Sequence, residues 1–292
     1  MNLKEIILER VLNDNIGDTL NELKVIKEQL LTQLIIEGVD DPGILKVVFM
    51  AGGPGSGKSY TAMEVFGVDK RFKQSFAASG LKVVNSDSAF EAGLKRNGIN
   101  PKDLSKIEKE DPDLWDKITK VPGGIRDRAK QLTNKQKAFY EAGRLGMVVD
   151  GTGGKLEKIK KMKTHAEKLG YDTHMVFVDT SLAVAHVRNK SRDRVLPEDT
   201  VSSIWKDVQD NKAAFKNLFG GSFALVDNNT YDKHDYEYEN PTTGKINVVQ
   251  KMVEPQVRKA IDGFVNKKLQ NPIGKKWIET ARKLKSANMI KK

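Results

Sequence analysis

The chain has 292 residues, of which 38% are hydrophobic and 30% charged, and its 50 Lys and Arg against 39 Asp and Glu leave a formal net charge of +11. That balance excludes an intrinsically disordered chain, no apolar run approaches the length of a membrane helix, and the lack of cysteine excludes disulfides, thiolate metal sites and thiol nucleophiles. The surplus of Lys and Arg suits a polyanionic partner or a lysine-rich solvated surface equally well.

Residues 1–45 read as a helical segment. Thr19-Leu-Asn-Glu22 has the form of a capping box, and Leu23, Ile26, Leu30 and Leu34 recur at helical spacing. Charges scattered through "MNLKEIILER" argue against a secretory signal, and a cytoplasmic setting is expected. "GVDDPG" closes this segment. Apolar runs then alternate with helical patterns: "ILKVVFM", "LKVVN" (Leu81–Asn85), "GMVVD" (Gly146–Asp150), "THMVFVD" (Thr173–Asp179) and "SFALVD" (Ser222–Asp227) are the strand candidates. Leu156, Ile159, Met162, Ala166 and Leu169 share one face of a helix with a lysine-rich opposite face, and Gly170 is placed to stop it. Strands separated by helices in this way predict an α/β fold, a parallel sheet covered on both faces. The expected organisation is one α/β domain over residues 46–228, with helical additions at 1–45 and 229–292.

Two stretches break the rhythm. Residues 97–124 are charged, carry Pro101, Pro112 and Pro122, and read as an inserted loop or short helical cap. After Asp227 the alternation ends, and two basic helices, about Pro255–Leu269 and Ile273–Lys285, are predicted around "NPIG". His165, His174, His186 and His234 show no metal-ligand spacing.

"AGGPGSGKSY" carries the most specific chemistry. Residues 52–59 satisfy GxxxxGK[ST] between a strand and a helix that begins near Gly57. Such a loop binds phosphate through backbone N–H groups of Gly53, Gly55, Ser56 and Gly57 as the chain wraps, with Pro54, which has no N–H, shaping the turn between them. The following helix N-terminus adds partial positive charge, with Tyr60 in its first turn. Lys58 reaches the β- and γ-phosphates of ATP, and the Ser59 hydroxyl ligates Mg²⁺.

Three further features point to phosphoryl transfer. "VVNSDSAF" places Asp87 at the carboxyl edge of the second strand, where a carboxylate can accept a hydroxyl proton from an acceptor and lie near Mg²⁺; the competing reading is a helix N-cap at Ser86 or Asp87. "MVVDGTGG" places Asp150 and Thr152 after the third strand, to hold Mg²⁺ through water or grip the acceptor, against a plain Asp-Gly turn. "HVRNKSRDRVLP" places Arg188 and Arg192 on one helical face with Arg194 beyond, a lid over residues 186–197 that would neutralise the moving phosphoryl group, against a solvated basic helix end.

"GGPGSGKS", "NSD", "VVDGTGG" and "VRNKSRDR", in that order, resemble P-loop kinases of the polynucleotide kinase and zeta toxin type, over roughly Ile44 to Asn228. The resemblance implies that Lys58 and Ser59 serve ATP and Mg²⁺, that Asp87 is the general base, and that Arg188 and Arg192 stabilise the transferred group. It also implies a bacterial or phage-infected cell. The chain departs from polynucleotide kinases at Phe90, where their pattern carries an arginine, and "DGT" stands where zeta toxins have "EGT". No "DxDGT" phosphatase motif follows.

The leading expectation is an ATP-dependent kinase acting on a hydroxyl of a nucleotide-sugar, nucleoside or polynucleotide. A nucleotide-binding structural protein without turnover, using the terminal helices to reach a protein partner, is the second. The third is a nucleic-acid-stimulated ATPase, favoured by the charge and by Lys267, Lys268, Lys275, Lys276, Arg282, Lys283 and Lys285. Against it stands the single acidic residue after "MVV", where motor ATPases use a pair.

Overall fold

A computed structural model describes residues 39–41, 43–66, 80–191, 195–229, 236–239, 246–249 and 255–290. The helical pattern expected over residues 1–38 lies outside them, as do Arg192 and Arg194. Five strands form one parallel sheet: β1 (Lys46–Ala51), β2 (Lys82–Val84), β3 (Met147–Asp150), β4 (Asp172–Asp179) and β5 (Phe223–Asp227), in the order β2-β3-β1-β4-β5. Each falls within a residue or two of its predicted run. Fully apolar runs make such strands because both faces are covered, and Val47, Val48, Phe49 and Met50 are all buried.

The helices between strands are α1 (Lys58–Phe66), α2 (Ser86–Arg96), α5 (Ile125–Ala142), α6 (Leu156–Lys168), α7 (Leu182–Lys190) and α8 (Glu198–Phe219). Of the two readings of residues 97–124, loop or short helical cap, the structure has helices: a short 3₁₀ turn, then α3 (Leu104–Glu110) and α4 (Pro112–Thr119). Pro112 is compatible with this because it stands in the first turn of α4, where its missing N–H costs nothing, and Asp111 caps that helix by accepting from Leu114 N at 3.0 Å. Leu104, Ile118, Phe90, Leu94 and Ala129 give α2–α5 a hydrophobic cluster of their own, beside the sheet.

One face of the sheet packs Phe49, Met175 and Phe177 against Phe215 and Phe219 of α8 and Ile159 of α6. The other packs Val48, Val176 and Val178 against α1 and the C-terminal helix α9 (Pro255–Asn266) through Ile261 and Val265. The last helix, α10 (Pro272–Ile290), lays Trp277 and Ile278 on the first cluster. Its start is fastened by Asn271, whose side chain donates to Glu167 O (2.8 Å) and Tyr171 O (3.1 Å) while accepting from Ile273 N. Gly170, at φ +100°, stops α6, and a Cβ there would meet Gly274 Cα at 2.7 Å. Asp172 completes the seam: it accepts from Gln270 N, from Asn271 N and from Lys46 Nζ at 2.8 Å.

A two-stranded antiparallel ribbon, β6 (Tyr236–Glu239) with β7 (Ile246–Val249), lies in the segment where the alternation was expected to end. Among the described residues no helix is long and apolar enough to cross a membrane.

Candidate active site

Sheet register decides which loops meet. Met50, one residue before the end of β1, stands opposite Asp150, the last residue of β3. Val84 of β2 stands opposite Val149. The next residue, Asn85, therefore comes level with Asp150, and both lie beside the glycine-rich loop that leaves β1. The carboxyl edge of an open parallel sheet is where such folds bind ligands.

The loop itself, residues 52–57, runs tight against its surroundings. Gly55 has φ +77°, and a Cβ on it would stand 2.3 Å from Ala185 O of α7. Only glycine meets both demands. Gly57, at φ +85°, faces the Asn228 amide in the same way. Asn228 lies just past β5 and ties three pieces together. Its side chain donates to Ser56 O (2.7 Å), its backbone N–H donates to Asp179 O (2.9 Å), and its carbonyl accepts from Arg188 Nη1 (3.1 Å) and Thr180 Oγ1 (3.0 Å). Gly53 lies against Trp205 of α8, whose Nε1 donates to Thr180 O at 2.6 Å. Lys58 Nζ lies across the loop, donating to Gly52 O (2.6 Å) and Gly53 O (3.2 Å). Pro54 and Ser56 are buried, Tyr60 is half-buried in the first turn of α1, and Ser59 is exposed at the lip.

Asn85 is the N-cap of α2, so the cap is neither Ser86 nor Asp87; Asp87 is the helix's second residue. Asn85 Oδ1 accepts from Asp87 N at 2.7 Å, and its Nδ2 donates to Asp150 Oδ2 at 2.9 Å. One amide thus ties the backbone at the start of α2, where Asp87 stands, to the Asp150 carboxylate. Burial pushes the Asp150 carboxyl above the usual carboxylate range, against the lowering pull of the nearby Lys58 ammonium, and Asp87 raises it further. Asp150 Oδ1 is buried with no hydrogen-bond partner. Such an oxygen is costly unless something charged or donating faces it. Thr152 is exposed beyond it.

Asp87 carries an ion pair with Arg126 of α5, Nη1 to Oδ1 at 2.8 Å. The Arg126 guanidinium lies over the Phe90 ring, 4.8 Å from its centroid.

The structure therefore brings together Lys58, Ser59, Asp87, Asp150 and Arg188 around one loop. It adds Asn85, Arg126, Trp205 and Asn228, which sequence reasoning did not assign to the site. Asn85 was legible in principle, since Asn is a preferred cap and stands just before a helical pattern. Arg126, Trp205 and Asn228 carry no local signal: each reaches the site from a separate element.

The donor set fits Mg²⁺, which takes one or two carboxylates beside phosphate oxygens and water. An exposed serine hydroxyl and a buried carboxylate oxygen without a partner are what such an ion needs. Among the described residues no cluster of three or more His, Cys, Asp or Glu could hold a metal by protein ligands alone.

A family profile described as an AAA domain matches residues 47–214. No curated protein matches the chain significantly in sequence. Among solved structures, the AvrRxo1-ORF1:-ORF2 complex is similar at 15% identity and a TM-score of 0.42, covering 96% of this chain and 91% of that one. The PezAT toxin-antitoxin system of Streptococcus pneumoniae is similar at 12% identity and 0.44, covering 91% and 96%. A deoxyadenosine kinase from M. mycoides with bound dATP reaches 16% and 0.29, covering 62% and 90%. At these levels they are likenesses and nothing more. The profile spans more than half of the chain, including the loop, both carboxylates and α7, so the chain belongs to the AAA-domain family, with a P-loop kinase-like fold of the kind that holds nucleotides.

Proposed function

We propose that the protein is an ATP-dependent phosphotransferase acting on an alcohol. The observation that carries this is the Asn85 bridge, which ties the start of α2, and with it Asp87, to the Asp150 carboxylate beside the phosphate loop. A protein that only bound nucleotide would need the loop and not a second carboxylate on a helix start tied to the first.

In this reading the backbone of residues 53–57, with Lys58, holds the ATP phosphates, and Tyr60 stands in the first turn behind them. Mg²⁺ would be held by Ser59 and, directly or through water, by Asp87 or Asp150, and when bound it neutralises charge on the β- and γ-phosphates. Asp87 accepts the proton from the acceptor hydroxyl. The acceptor oxygen then bonds to the γ-phosphorus as the bond to the bridging oxygen breaks, and its electron pair leaves on ADP. Arg188, already at the loop, stabilises charge on the transferred group, with Arg192 and Arg194 following it in the chain. Asp150 and Thr152 orient the acceptor.

A nucleic-acid-stimulated ATPase is the competing reading, and the exposed Lys267 and Lys268 between the C-terminal helices, with Lys275, Lys276, Arg282 and Lys283 of the last one, favour it. One assay separates them. Transfer from γ-labelled ATP is measured on a 5′-hydroxyl oligonucleotide, a nucleoside mixture and UDP-sugars, with wild type and Asp87→Asn. Label on one acceptor class, reduced on the order of 10²–10⁴-fold in the variant, is the expected result. Hydrolysis that rises with added nucleic acid while no acceptor is labelled replaces the kinase by an ATPase. A nucleotide that binds with neither outcome leaves a binding protein.

A further inference from the structure

Helix α6 and the stretch from Lys267 to the end of α10 carry a charge unlike the rest of the chain. Residues 155–168 and 267–285 together hold thirteen Lys and Arg against three Glu, a surplus of ten where the whole chain has +11. The remaining residues are therefore close to neutral, and the positive charge belongs to one region. Packing makes that region continuous. α10 starts against the end of α6, where Gly170 and Gly274 approach backbone to backbone and the Asn271 side chain donates to Glu167 O and Tyr171 O. Lys168, Lys268 and Lys275 flank this junction in the chain, and all three are exposed.

A lysine-rich surface is ordinarily a solvated one, its cations matched by acids along the helix. The rest of the molecule shows that pattern: Lys106 pairs with Glu110, Lys120 with Asp116 and Lys206 with Asp210. On the basic region the matching fails. Among the described residues, only Lys160, Lys163 and Lys285 of its thirteen cations have a carboxylate within ion-pair distance. Lys161, Lys168, Lys275, Lys276, Arg282 and Lys283 are exposed with none. Like charges held together in this way repel, and the repulsion is relieved when an extended anion lies across them. A hollow of ≈ 300 Å³ along α6 marks one place for such an anion. Lys160, Lys161 and Lys168 border it with Thr164 and His165, beside Glu157.

The chemistry of the region selects the anion. Protein interfaces draw on aromatic anchors and are poor in Lys, and a helix lying on a membrane needs an apolar face to insert. Among the described residues the exposed large apolar side chains of this region are Ile273 and Leu284, too few for either. The bases of a single strand stack on exposed aromatic rings. Trp277 is the region's one Phe, Tyr or Trp, and it is half-buried against the Arg144 guanidinium. What remains is an anion recognised by its backbone charge. α6, of 13 residues, is about 20 Å long and α10, of 19, about 28 Å. Over either length a nucleic-acid duplex presents about a dozen phosphates or more.

We propose that α6 and α10 form a binding face for double-stranded nucleic acid, held through its phosphates without regard to sequence. The duplex is not the acceptor of phosphoryl transfer. Asp172, which fastens the start of α10, stands with Lys46 at the amino ends of β4 and β1, whereas the phosphate loop leaves the carboxyl end of β1. The face therefore stands whether or not the kinase reading does.

Fluorescence anisotropy tests it with a short labelled DNA duplex, the RNA duplex and the single DNA strand of the same sequence, and sedimentation tests vesicles of phosphatidylserine and phosphatidylcholine. With about five phosphates neutralised, duplex affinity is expected to fall about 500-fold between about 50 and about 200 mM salt. Lys161→Gln with Lys168→Gln, and separately Lys275→Gln with Lys276→Gln, are each expected to raise the half-saturating duplex concentration about tenfold. Lys109→Gln with Lys117→Gln, which removes as much charge from α3 and α4, is expected to change it less than about twofold. All six side chains are exposed, so the variants are expected to fold, and thermal melting verifies it. The single strand is expected to bind about tenfold more weakly than the duplex, for want of stacking rings. Both duplexes are expected to bind, and a preference names which of the two the face takes. The proposal is overturned if the single strand binds as well as the duplexes, or if the α3 and α4 substitutions weaken binding as much as those of α6. It is equally overturned if saturating ATP displaces the duplex, which would place it at the phosphate loop, or if only the vesicles are bound.

Discussion

His174 lies in the middle of β4, nearly inaccessible, stacked on Phe264 of α9 with ring centroids 4.7 Å apart. Neither ring nitrogen has a hydrogen-bond partner, and beside this ring pair lie Lys46, whose ammonium sits 5.0 Å from the Phe264 centroid, and Asp172, which that lysine pairs with. Burial holds the imidazole down at about 4, against a free value of 6.5. The unfolded chain therefore takes up the proton first. Stability from this group is complete above about pH 6.5, is lost as pH falls toward 4, and the full loss is about 3 kcal/mol at 1.36 kcal/mol per unit. Between about pH 7.5 and about pH 5 the linkage relation gives a loss of about 2 kcal/mol. His174→Phe removes the titrating group, keeps a ring against Phe264 and abandons no hydrogen bond. Urea unfolding of both proteins at the two pH values measures the difference. Wild type is expected to lose about 2 kcal/mol more than the variant on acidification. Equal losses would refute the reasoning, because they would mean that His174 is already protonated in the fold or reached by water.

Gly55→Ala places a methyl 2.3 Å from Ala185 O at a φ of +77° and is expected to cost the protein more than tenfold in ATP affinity, measured by calorimetry; Gly98→Ala, at φ +71° with nothing within 4 Å, carries the backbone strain alone and should leave affinity unchanged. Asn85→Ala should lower stability by about 1 kcal/mol through the lost cap and lower phosphotransfer as well, whereas Asn85→Ser should recover the stability, since serine caps, and not the transfer, since it cannot also donate to Asp150. Thermal melting and γ-label transfer on the two variants separate the effects.

The parallel sheet, the phosphate loop and the strand ends were legible from local pattern because each depends on short-range physics. Apolar runs bury on both faces, glycines permit positive φ, and a carboxylate placed after a strand lies at that strand's carboxyl end whatever else the chain does. The motif GxxxxGKS needed no tertiary information. Residues 97–124 left loop and short helical cap both open, because three prolines and many charges suit a loop while a proline can also open a helix, as Pro112 does. That distinction depends on Leu104 and Ile118 finding Phe90 and Leu94, a pairing made by packing.

The site's wiring belongs to the tertiary structure alone. Asp150 and Asp87 could each be named from sequence, yet their shared contact with Asn85 follows from the register of β2 on β3. Phe90 stands where the polynucleotide-kinase pattern of the sequence reading has an arginine, and a guanidinium nevertheless lies over its ring, supplied by Arg126 from a helix 36 positions later. Asn228 reaches the phosphate loop from just past β5, 172 residues along the chain from Ser56. Local sequence decides which backbone conformations are cheap. Only the closing of the sheet decides which side chains share a few ångströms, since that proximity is set by strand order and register rather than by any neighbour in the chain.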